Sequence, residues 1–433
     1  MKRFILALCM FAWGQAYAVL QIEITEGAEN ALPIAIVPFH DRGLNCQSGT
    51  VCANELLTQI VNQDLLRSGR FKVTPRTQLV ATPSNAQAIR FAQWKNSNVE
   101  NLVLGQVQRL ANGQYQVDVR LFDVLRQKQV EGQRWVVDQT RLRELAHKIS
   151  DLIYEKLLGV QGVFSTKVAY ITVNKEQDKK KYVLEVSDSD GFNPQPILTS
   201  LDPLLSPSWS PDGRQIAYVS FEQQKSEVYL QSVETGQREK IASFKGLNGA
   251  PAWSPDGRKL ALTLSRDGNA EIYVMDIATR KLERITRHWA IDTEPTWMPD
   301  GRSLLFTSDR SGQPQIYEKV LGENGVKRLT FTGKYNAHSS VSPDGKKIAV
   351  VHGAEGNFHI ALLEKDTGDM FIVSDTFLDE SPTFSANGDM IIYATTYRNR
   401  GVLSVLSVDG KVSQRLSGPS GDVREPAWGP ILE

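Results

Sequence analysis

The chain has 433 residues, enough for two cores, and carries 49 Lys and Arg against 49 Asp and Glu. That balance excludes a strongly basic nucleic-acid binder and a polybasic grip on an anionic membrane surface. Only three cysteines occur, too few for a disulfide scaffold to hold a chain of this size.

The N-terminus reads as an export signal. Lys2 and Arg3 precede an apolar run over residues 4–14, and Ala16-Tyr17-Ala18 is a small-residue cleavage site, which places the mature start at Val19. Cys9 sits inside that run, but Leu8 directly before it is too large for lipoprotein processing. No later apolar stretch reaches the roughly 18–20 residues that span a bilayer, so the mature chain is expected to be soluble, exported and not inserted in a membrane.

Residues 19–160 read as an α/β domain. Over 19–26, Leu20, Ile22 and Ile24 alternate with Gln21, Glu23 and Thr25, the period of a half-buried strand. Residues 34–39 are a continuous apolar run, read as a buried strand. Helices are expected over 54–66 and 86–94, and a hairpin about Asn112-Gly113. A strand at 134–137 and an amphipathic helix over 141–158 follow, the latter stopped by Gly159. Cys46 and Cys52, six positions apart in a polar loop, predict a local disulfide in an oxidising compartment; the two further ligands that zinc needs are missing.

From residue 163 the chain repeats. Residues 207–214 (PSWSPDGR), 251–258 (PAWSPDGR), 295–302 (PTWMPDGR) and 339–346 (SSVSPDGK) are four copies, 382–388 (PTFSANG) is a worn one, and 426–430 (PAWGP) is a fragment. Their starts fall at a step of 44, broken once by 43. A period of that size with strand-like content is a four-stranded propeller blade. Residues 167–173, 182–187 and 196–199 supply three strands of a blade that lacks its first, and 426–428 supplies the missing one. The predicted fold class is therefore mixed: a signal over 1–18, an α/β domain over 19–160, and a six-bladed β-propeller over 163–433 closed by the C-terminal strand.

Catalytic motifs are missing: no Gly-x-Ser-x-Gly elbow, His-Glu-x-x-His or phosphate-cradling glycine loop occurs. His352 and His359 share a segment without clustered carboxylates. The residues just ahead of each first strand are acidic, with Asp202, Asp292, Glu294, Asp379, Glu380, Asp422 and Glu425 among them. In a propeller these loops converge on one mouth of the central channel, where a ring of acids focuses a negative potential suited to a basic or amide-rich partner, or to calcium. Trp209, Trp253, Trp297 and Trp428 are expected to pack between blades. Two classes of function fit: a binding scaffold, or an exported hydrolase or lyase with the channel as its substrate pocket.

Residues 167–170 (KVAY), 187–191 (SDSDG), 248–251 (NGAP), 273–276 (YVMD), 293–297 (TEPTW), 307–309 (TSD) and 376–382 (TFLDESP) narrow the choice. With the export signal and the domain order, they resemble the TolB family of the Tol-Pal system of Gram-negative bacteria. The resemblance implies a non-enzymatic, monomeric adaptor in the periplasm. It implies binding of the peptidoglycan-associated lipoprotein Pal at the channel mouth through Asn248, Gly249, Ala250, Thr293, Glu294, Asp379 and Glu380. It implies contact with TolA through Val19, Leu20, Gln21, Ile22, Glu23, Ile24 and Thr25. A role in outer-membrane integrity and cell division goes with these, as does entry of bacteriocins that imitate the Pal contact. A free alternating strand can add to a partner's sheet edge or fold back on its own chain.

Overall fold

The computed structural model describes residues 22–24, 31–43, 52–176, 179–416 and 421–432. In the N-terminal domain, Leu32–Ile36 lies between Phe71–Val73 and Asn101–Arg109, parallel to both, and two antiparallel pairings extend the sheet through Tyr115–Asp123 to Lys128–Val137. Helices α1 (Ala53–Arg67) and α3 (Leu142–Leu158) bury Leu57, Val61, Leu65, Leu145, Ile149 and Ile153 in one cluster with Ile34 and Val103 of the sheet. Gly159 ends α3 in the left-handed conformation that the sequence predicts. The single helix expected over 86–94 is instead a 3₁₀ turn, Ala86–Ala88, and a short helix α2, Phe91–Asn96. Asn85 caps the turn through the Ala88 amide, and Ile89 then leaves helical space at ψ 123°.

The propeller has six antiparallel blades of four strands each, and Ile22–Ile24 adds a fifth strand to the sheet of blade 5. Blades 1 to 5 begin with the innermost strands Leu204–Trp209, Asn248–Trp253, Asp292–Trp297, Tyr335–Val341 and Glu380–Phe384. In blade 6 the innermost strand is Asp422–Trp428, paired with Lys167–Glu176 from the start of the array. The two ends of the domain thus share one sheet, which leaves the ring without an open end.

The repeated Ser-Pro-Asp-Gly turn joins each first strand to the second, on the face away from the loops between blades. Ser210 Oγ donates to Asp212 Oδ1 at 2.6 Å, and the Arg214 and Gln215 amides donate to Asp212 and Ser210. The turns at Ser254 and Ser342 repeat these bonds. Each turn glycine takes a positive φ, the conformation that favours glycine, and from blade 2 to blade 5 it packs beside the proline of the preceding blade. A Cβ on Gly257 would lie 3.7 Å from Pro211, and one on Gly345 equally far from Pro299. Gly213 meets Pro430 and Leu432 of the C-terminal tail, so the tail takes the place of a sixth turn. The indoles stitch neighbouring blades, Trp209 Nε1 donating to Ala427 O and Trp297 Nε1 to Ala252 O, both at 3.1 Å.

The two domains are packed together. The apolar cluster of the α/β domain continues through Tyr154 and Phe164 into Met390, Ile392 and Trp428 of blades 5 and 6. Asp389 of blade 5 accepts from Tyr154 Oη at 2.6 Å and pairs with Arg70 at 2.7 Å, and Asn387 Nδ2 donates to Gln161 O at 3.0 Å. In the joint, Asp151 accepts the Phe164 and Ser165 amides at 2.7 and 3.1 Å.

Candidate partner-binding mouth of the channel

Every innermost strand carries a register shift near its start, and at each shift one residue takes a left-handed backbone. These residues are Ser206, Ala250, Glu294, His338, Ser381 and Glu425, with φ between 44° and 53°. A non-glycine residue held there costs about 1–2 kcal/mol. Strain repeated at one position of every blade marks a constrained site. All six residues line the central channel, a cavity of about 970 Å³.

The ring is chemically lopsided. Blades 1 and 2 contribute Ser206 and Ala250, blade 4 His338, and blades 3 and 6 Glu294 and Glu425, with Glu380 and Arg424 alongside. Glu294 Oε2 accepts from Thr307 Oγ1 at 2.8 Å and from the His338 amide at 3.0 Å, and its Oε1 lies 3.6 Å from His338 Nδ1. Burial works against the Glu294 charge, but His338 outweighs it and holds the carboxyl below its usual range. His338 is the reciprocal case: burial opposes the imidazolium, yet Glu294, with Glu425 and Glu380 beyond, raises its proton affinity. Desolvation among the groups around the lumen pushes the Glu380 and Glu425 carboxyls up, although Glu380 is exposed at the mouth. Glu425 accepts the Ser206 amide of the next blade.

The sequence placed seven carboxylates around this mouth; the structure divides them by one or two positions. Asp292 is fully buried, bound by Arg310 at 2.7 and 2.8 Å. Asp379 is buried under Ser374 and Thr376. Asn248 is likewise buried and ties the Phe244 and Gly246 backbone of its own loop. Asp202 is half-buried beside Gln224, and Asp422 accepts the Gly401 amide. These side chains brace loops, and of them Asp379 and Asp422 also line the cavity. Gly249 is buried as well, Ala250 and Glu294 stand on the lumen, and Thr293 Oγ1 lies 3.4 Å from Thr263 Oγ1. Among the described residues no three lumen carboxylate or imidazole groups lie within 4.8 Å of one another.

The site residues drawn from the sequence left out His338 and Arg424, which lie in the same converging loops, and an apolar crown. Leu201, Leu247, Trp289, Phe331, Phe377 and Leu378 are exposed, Trp289 by 78% and Phe331 by 73%, and all lie in the loops that lead into the innermost strands. Exposed large apolar groups gathered on one face mark a contact surface. Their signal was available: each precedes, by no more than four residues, the first residue of an innermost strand.

At the other predicted site, Ile22–Ile24 pairs antiparallel with the outer strand of blade 5, Ile22 opposite Gln414 and Ile24 opposite Val412. Val19, Leu20, Gln21 and Thr25 lie outside the described residues. Cys52, at the N-cap of α1, is disulfide-bonded, and Cys46 lies outside the described residues.

The chain matches the TolB amino-terminal domain over residues 20–130 and the TolB beta propeller domain over 154–432. The Tol-Pal system protein TolB of Hydrogenovibrio crunogenus is 56% identical, covering 98% of this chain and 97% of that protein. Its namesake in Nitrosococcus oceani is 59% identical over 96% and 94%. The chain belongs to the TolB family. The crystal structure of TolB from Acinetobacter baumannii superposes with a TM-score of 0.84 at 44% identity, covering 95% of this chain and all of that one. The α/β domain followed by a six-bladed propeller is thus the architecture of TolB.

Proposed function

We propose that this chain is a non-enzymatic periplasmic adaptor of the Tol-Pal system that takes Pal at the channel mouth and TolA through its N-terminal strand. The observation that carries this reading is the pairing of a lopsided charged lumen with an apolar crown on the same face. A crown of aromatic and aliphatic groups supplies desolvated contact area, and the charges beneath fix the orientation of whatever enters. The relatives' shared Tol-Pal name supports the partners, and a role in outer-membrane integrity and division follows with them. The seating of Ile22–Ile24 on blade 5 supports a strand that exchanges one sheet edge for another.

Calorimetric titration of Pal into the mature protein tests the mouth. Glu294→Ala is expected to weaken binding by about 1–2 kcal/mol, and Phe331→Ala by a similar amount. Unchanged affinity in Glu294, Phe331 and Phe377 variants that remain folded would end the reading. Removal of residues 19–25 should abolish TolA binding and leave cooperative unfolding intact.

A further inference from the structure

Where α1 and α3 meet the 188–191 turn of blade 6, a buried ionic cluster lies outside the proposed partner contacts. His147, on α3, is 2% exposed, with Nδ1 2.8 Å from Asp64 Oδ2 of α1 and Nε2 3.7 Å from Asp190 Oδ2 of the propeller. Arg67 of α1 pairs with Asp64 at 3.0 Å and donates to Ser189 Oγ at 3.2 Å. Arg143 of α3 bridges Asp188, at 2.9 Å, and Asp190. Lys167 takes the other Asp188 oxygen at 2.6 Å. His147, Asp188 and Asp190 are near enough to one another to hold a metal ion, but the Arg143 guanidinium already joins the two carboxylates and supplies positive charge there.

The charges facing His147 come from every element around it. Asp64 and Arg67 stand on α1, Arg143 and Asp151 on α3, and Lys167, Asp188 and Asp190 on blade 6. Arg143, whose Nη2 lies 3.4 Å from His147 Nε2, works against the imidazolium, while Asp64 and Asp190 favour it. Burial alone would drive the proton off His147. Asp64 and then Asp190 outweigh burial and raise its proton affinity above the ordinary 6.5.

The cluster also adjoins the seat of the N-terminal strand. Gly69, two residues past the end of α1, approaches blade 5 so closely that a Cβ there would lie 3.1 Å from Val412 Cγ2. Val412 is the residue that pairs with Ile24. A shift of α1 relative to the propeller therefore reaches the strand's docking edge directly.

We propose that His147 is a proton-operated clamp between the two domains, and that its deprotonation loosens their interface and with it the seat of the N-terminal strand. The sign follows from linkage. A histidine whose proton affinity is raised by folding contributes fully below 6.5, and that contribution is lost as pH rises through the raised value. The clamp depends on neither Pal nor TolA being the partner.

The test uses the mature chain alone. The His147 imidazole is titrated by NMR, and amide hydrogen exchange, corrected for its intrinsic pH dependence, is followed at 412–415 and 188–191. His147 is expected to titrate above 6.5. Corrected exchange at both segments is expected to rise about tenfold across that titration, while Lys259–Leu264 of blade 2 stays unchanged. His147→Asn keeps a donor toward Asp64 without a titrating group; it should exchange faster at pH 6 and show no step. An imidazole titrating at or below 6.5, flat exchange in the native chain, or the same step in His147→Asn would overturn the proposal. Should that variant not fold, the two curves of the native chain decide alone.

Discussion

The turn after the first strand differs between blades 1 to 4 and blade 5 in what it touches. In the first four blades the turn bonds within its own blade and packs against its neighbour in the ring or, in blade 1, the C-terminal tail, and Arg214, Arg258, Arg302 and Lys346 at its end are exposed. In blade 5 the same positions read Ala386, Asn387, Gly388 and Asp389, all half-buried. The local cap survives there: Ser385 Oγ donates to Asn387 Oδ1 at 2.9 Å, and the Met390 amide donates to Ser385 Oγ at 3.0 Å. The freed groups face the other domain, Asn387 binding Gln161 and Asp389 binding Arg70 and Tyr154. A worn copy in a repeat array thus marks the unit that has acquired a second neighbour, because only there do contacts outside the array compete with those that define the repeat.

Restoring the repeat should therefore damage the protein. Asp389→Arg gives blade 5 the residue its counterparts carry, but sets a cation against Arg70 and leaves the Tyr154 hydroxyl without its acceptor. We expect a loss of about 2–3 kcal/mol, concentrated at the domain interface. Calorimetry should show the α/β domain unfolding ahead of the propeller. A single transition at the native temperature would refute the assignment of Asp389 to the interface.

The same contrast explains what was legible in the sequence. Blade number followed from the spacing of Pro207, Pro251, Pro295, Pro382 and Pro426, because each lies at the same place in an innermost strand and the turns that follow such strands are held by local bonds. The lumen was legible only in part. Asp292 and Glu294 are equally polar in a sequence; the left-handed residue at the register shift decides how the strand start presents its side chains, and period-2 reasoning does not foresee it. The clamp was not legible at all. Asp64, His147 and Asp190 are far apart in the chain, and nothing local in any of them signals that they meet.

A faithful turn should respond differently from the worn one. Gly257 holds φ at 69° with Pro211 beside the place of its missing Cβ. Gly257→Ala is expected to cost about 1–2 kcal/mol from the left-handed backbone alone. Chemical denaturation should register this as one shifted transition of the propeller, with the domain interface intact. If the two domains separated instead, ring packing and domain docking would not be the independent features described above.

The smallest effect expected is at the turn carboxylates. The Ser210, Ser254 and Ser342 hydroxyls, each donating to the carboxylate two residues on, hold Asp212, Asp256 and Asp344 below their ordinary 3.8. A carboxylate depressed by folding contributes above 3.8 and loses that contribution as pH falls through its lowered value, so these turns weaken only in strong acid. Blade 5 has Asn387 in this place and has nothing to lose. Asp256→Asn gives blade 2 the blade 5 chemistry: an uncharged acceptor for the same hydroxyl. The exchange should cost no more than about 0.5–1 kcal/mol at pH 7, because the turn is exposed. It should also flatten the acid limb of stability by the share of one turn. A loss at pH 7 as large as that of Asp389→Arg would mean that the turn charge itself, and not the local bond, holds the ring together.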